Sequence, residues 1–87
     1  MPTRHVIISA HNGVHARPVA ELVRLAQSHR DAIILRTTGG AEVDLSSVLA
    51  VMDLGLAQGD EVVLSTAESA DAVSVLDALT EVLARRD

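Results

Sequence analysis

The sequence predicts an α+β fold, a four-stranded sheet with three helices covering one face, in the order βαββαβα. Three observations carry this. Short β-branched runs alternate with longer stretches whose apolar residues recur at helical spacing. The two middle strands are separated only by a Gly39-Gly40 reversal, the signature of a hairpin. The 87 residues contain no linker, repeat or low-complexity tract, so residues 1–87 are expected to share one core as a single domain. The first six elements would also suit a ferredoxin-like arrangement.

The first strand is expected over His5-Val6-Ile7-Ile8-Ser9, ended by a loop at Asn12-Gly13. From Ala16 to about Ser28, Val19, Leu22, Val23 and Ala26 fall at i, i+3, i+4 and i+7, one face of a helix. Arg17, Glu21, Arg24 and Ser28 occupy the opposite face. Pro18 sits in the first turn, where N–H groups have no intrahelical partner, so it starts the helix rather than breaking it.

Ala32 to Thr37 and Ala41 to Leu45 form the hairpin. Ser46-Ser47 then precedes a short helix over Val48 to Met52, with serine as cap and Gly55 as stop. Glu61 to Thr66 is the fourth strand. The last helix is expected to be capped by Ser69, with Asp71 in its first turn and Arg85-Arg86 in its last. Ala72, Leu76, Leu79 and Leu83 form its apolar stripe.

Composition excludes several function classes. Cysteine is absent, which removes disulfide scaffolds, thiolate metal sites and thiol nucleophiles. Phe, Tyr and Trp are absent, so there is no aromatic platform for stacking bases. Seven Arg, no Lys and twelve acids give −5, the wrong sign for a general nucleic-acid binder. No apolar run reaches the ~20 residues of a membrane span, and the N-terminus lacks a secretory signal, so a soluble cytoplasmic chain is expected.

One histidine stands apart. His15 lies at the junction between the Gly13 loop and the first helix, where free N–H groups and the helix dipole favour an anion. Arg17 adds a fixed cation with forked donors. Nearby positive charge favours the neutral imidazole, which is a nucleophile. After attack on a phosphoryl group, the product dianion would lie against the backbone donors of Ala16 and Arg17. The plainer alternative is an exposed histidine near a helix start.

Asn12-Gly13-Val14-His15-Ala16-Arg17-Pro18 resembles the active-site motif of the HPr family, the histidine-containing phosphocarriers of the bacterial sugar phosphotransferase system. The resemblance extends along the whole chain, including the Leu-Gly-x-x-x-Gly stretch from Leu54 to Gly59. It implies an open-faced β-sandwich, a four-stranded antiparallel sheet with three helices on one face. It also implies a relay. His15 would accept a phosphoryl group on Nδ1 from phosphorylated enzyme I, Arg17 would hold it during transfer, and an enzyme IIA domain would receive it. Such a chain is transiently phosphorylated, works without cofactor or metal, and is no free-standing catalyst.

The resemblance further puts a regulatory serine, phosphorylated in some members by a kinase, at Ser47; helix capping alone also accounts for that residue. Seven apolar residues lie between Val48 and Leu56, more than so short a helix can bury on one side. Leu49 and Met52 are therefore expected to be exposed beside His15, with Arg17 and Arg24 as a charged rim, forming the docking surface of a monomer. His11 and His15 have the spacing of a metal pair, but Gly13 intervenes and no third ligand is evident. His5 and His29 read as structural. Alternative readings are an HPr-like carrier of a nitrogen-related or dihydroxyacetone relay, or a regulatory binding module working through Ser47.

Overall fold

The computed structural model describes residues 2–9, 16–57 and 59–84, with residues 16–18 described as backbone alone. Its strands are β1 (Thr3–Ile7), β2 (Ile33–Thr37), β3 (Glu42–Asp44) and β4 (Glu61–Thr66). Its helices are α1 (Ala16–Ser28), α2 (Val48–Asp53) and α3 (Ala72–Ala84). The strands form one sheet in the order β1-β4-β2-β3, every neighbouring pair antiparallel. With β1 at an edge, this is the open-faced sandwich and not the ferredoxin-like arrangement.

Register decides which side chains meet the helices, because paired residues share a face. The row Arg4, Leu64, Leu35, Val43 and the row Val6, Val62, Thr37 face the helices. Leu64, Leu35, Val6 and Val62 are buried there. The alternate rows, Thr3-Ser65-Ile34-Asp44 and His5-Val63-Arg36-Glu42, lie on the open face. There Arg36 and Glu42 form an ion pair at 2.6 Å. Val19, Leu22, Val23 and Ala26 of α1 and Ala72, Leu76, Leu79 and Leu83 of α3 are all buried, so both helical stripes read from spacing cover the sheet.

β2 starts one residue later than expected, β3 is one residue shorter at each end and α2 one residue longer, while β1 and α3 depart further. β1 begins at Thr3 and stops at Ile7, earlier than the β-branched run suggested. Its start is fixed by pairing rather than apolar content: Thr66 N–H donates to Pro2 C=O, and Arg4 reaches Asp77 of α3 at 2.6 Å. Ile8, beyond the strand, is still buried, and its N–H donates to Asp60 C=O. α3 begins at Ala72, so Ser69 is not its cap and Asp71 does not lie in its first turn. Instead the Asp71 carbonyl accepts the Val75 N–H, which makes Asp71 the flanking residue. Arg85 and Arg86 lie outside the described residues.

The hairpin turns on Gly40. Gly40 has φ +94, and its N–H donates to Thr37 C=O at 3.0 Å. The radius of gyration is 11.5 Å, close to the ~12 Å expected for a folded chain this long.

Candidate functional site

α1 starts at Ala16, directly after the histidine of the motif. His15 lies outside the described residues, as do His11 and the side chains of Ala16 and Arg17. The scaffold that carries them is described. Val19, Leu22 and Val23, one turn on, are buried at 4% exposure or less, which anchors the start of α1 on the sheet. Arg24 is exposed on the outer face. It follows Arg17 by seven residues, two helical turns and about 10 Å along the axis.

α2 packs beside α1. Its N-cap is Ser47, in an extended conformation (φ −107, ψ 112), whose Oγ accepts the Ala50 N–H at 3.2 Å. The cap expected from the sequence is therefore present. The preceding turn is held by Asp44, whose Oδ1 accepts the Ser46 N–H at 2.9 Å, and by Gln27, whose Nε2 donates to the Ser46 carbonyl at 3.1 Å. At the other end Gly55 takes φ +60 and its N–H donates to Met52 C=O, ending the helix as a left-handed residue does.

So short a helix cannot bury all its apolar residues. Val51 is buried at 2%, while Leu49 is 76% exposed and Met52 49%. Both residues expected at the surface are there. Val48, 42% exposed, joins them and was missed. Its signal was available, because Val48 and Met52 are i and i+4 and share a helical face. Together the three make an uncovered apolar patch on one element, rimmed by exposed Ser47 and Asp53.

Two other histidines lie among the described residues. His5 is exposed within β1 on the open face of the sheet. His29 follows α1 at the end far from position 15, half-buried, its N–H bonded to Ala26 C=O. A shallow cleft between Leu25, Ser28, His29, Asp71 and Val75 opens at that far end. Among the described residues no group of three or more His, Cys, Asp or Glu could hold a metal ion, and no helix is long and apolar enough to cross a membrane.

Comparison with known proteins places this arrangement among small phosphoryl carriers. The family described as the phosphotransferase-system HPr component phosphorylation site matches residues 2–85. The phosphocarrier protein HPr of Bacillus anthracis superposes with a TM-score of 0.83 at 29% identity, over 94% of this chain and 95% of that one. HPr-C-His of Thermoanaerobacter tengcongensis gives 0.83 at 30%, over 95% and 91%. The Bacillus subtilis catabolite repression protein Crh, described as a dimer with a swapping domain, gives 0.65 at 27%, over 83% and 80%. The chain belongs to the HPr family of the phosphotransferase system.

Proposed function

We propose that this chain is a phosphocarrier whose reacting atom is Nδ1 of His15. What carries the reading is the family match over residues 2–85, which spans the histidine motif. In the forward step the imidazole lone pair attacks phosphorus of phosphorylated enzyme I. A nitrogen–phosphorus bond forms as the bond to the donor breaks. The Ala16 and Arg17 backbone N–H groups and the Arg17 guanidinium take up the charge of the transferred group. An enzyme IIA domain then receives it in the reverse chemistry. Positioning and electrostatics suffice for such transfers, so the chain supplies its own residues and no cofactor.

Leu49 and Met52, with Val48, form the apolar centre of docking, and Arg17 and Arg24 the charged rim. A transient interface needs only a modest centre of this kind. Whether the recipient belongs to a sugar, nitrogen-related or dihydroxyacetone relay is decided by the acceptor domain, because the carrier chemistry is common to all three. A serine kinase acting on Ser47 would add control by setting a phosphate beside this face. The exposure of Ser47 supports that second role.

The test is labelling with phosphoenolpyruvate and enzyme I. The expected product is acid-labile and base-stable, and His15→Ala abolishes it. Label that survives His15→Ala overturns the assignment. Label appearing only with a kinase, at Ser47, favours the regulatory module instead.

A further inference from the structure

We propose that Gln27 is a positioning residue for phosphoryl transfer, tying the last turn of α1 to the turn that launches α2 and so fixing the docking face relative to the histidine before α1. The inference rests on the carrier reading above. Gln27 is exposed, on the solvent side of α1, and takes no part in the core. Its Nε2 nevertheless crosses to the carbonyl of Ser46, 19 residues on, at 3.1 Å.

The other bonds of that turn serve different ends. Asp44 closes the turn on itself, through its carboxylate to the Ser46 N–H and its carbonyl to the Ser47 N–H. Leu45 N–H donates to Ile33 C=O and ties the turn to β2. The Gln27 bond ties it to α1. The tie matters because α2 cannot hold its own direction. Helices below about 12 residues are marginal alone, and α2 has six, with Val51 as its buried residue. Docking needs the Val48, Leu49 and Met52 patch and the start of α1 presented as one fixed surface, so a patch free to tilt docks less tightly, while a chain once docked reacts as before.

The experiment uses the whole chain as acceptor from phosphoenolpyruvate-charged enzyme I, with Gln27→Met, which keeps length and loses the donor, and Gln27→Lys, which restores one. Hydrogen exchange at Ala50 and Val51 reads the tie directly. Gln27→Met is expected to raise KM for the chain roughly three- to ten-fold, as one lost hydrogen bond allows, with kcat unchanged. Exchange at Ala50 and Val51 should quicken alongside, and Gln27→Lys should restore both. A raised KM with unchanged exchange would mean that Gln27 touches the partner itself, and faster exchange with unmoved KM would mean that the tie is irrelevant to transfer. Either overturns the proposal. A wild-type chain that takes no label overturns the carrier reading and the proposal with it, while exchange still reports whether the tie exists.

Discussion

The hydroxyl of Ser47 already has work to do before any kinase meets it, because its Oγ accepts the Ala50 N–H and holds the first turn of α2. Capping and charge can therefore be separated at one position. Ser47→Ala removes the acceptor and is expected to cost about 1 kcal/mol, read by urea denaturation. Ser47→Asp retains a capping oxygen and should cost less than half of that, yet it puts a negative charge beside Leu49 and Met52. If phosphorylation controls docking by charge, Ser47→Asp raises KM for transfer from enzyme I while Ser47→Ala leaves it near wild type. Equal KM values for the two would assign Ser47 to the helix alone. Residue-scale legibility was high here, since a serine before a short apolar run has a mechanical reason to be there. At Gln27 it was nil, because nothing in local spacing tells a solvent-facing glutamine that a carbonyl 19 residues away lies within reach.

At the scale of the element, α2 splits its apolar residues between two tasks. Val51→Ala removes two methyls from a closed site and is expected to cost about 2 kcal/mol of stability. Leu49→Ala and Met52→Ala should each cost under about 0.5 kcal/mol, since Leu49 is mostly and Met52 about half in water. Together those two should raise KM for enzyme I about ten-fold, the loss of two side chains at the centre of a small interface. Paired thermal melts and transfer kinetics check the division. The opposite pattern, with exposed substitutions unfolding the chain, would make the patch part of the core. The helical stripes of α1 and α3 were readable because 3.6-residue spacing survives in any context that buries one face. Strand and helix starts were less so. Pairing with Thr66 set the start of β1, and a carbonyl at Asp71 set that of α3; both are backbone events to which side-chain identity is nearly blind.

For the whole molecule, the question raised by the Crh likeness is whether this chain also exchanges an element with a second copy. A strand at a sheet edge is the usual candidate, and the sheet has two edges, β3 and β1. β3 has three residues and presents Glu42 and Asp44, so it is too short and too acidic to template another strand. β1 is longer but fastened along its length to its own chain. Thr66 N–H holds Pro2, Asp60 C=O holds Ile8, Leu83 C=O holds Ser9, and the exposed Arg4–Asp77 pair adds at most about 1 kcal/mol. Releasing β1 would break these together and uncover Val6 and Ile8. Net charge of −5 opposes close approach of two copies as well. Light scattering after size exclusion at tens of micromolar protein is therefore expected to give one species at 9.1 kDa, with or without Asp77→Ala. A stable species at twice that mass would mean that β1 is held less firmly than its bonds imply, and a dimer appearing only in Asp77→Ala would locate the lock at the Arg4 pair.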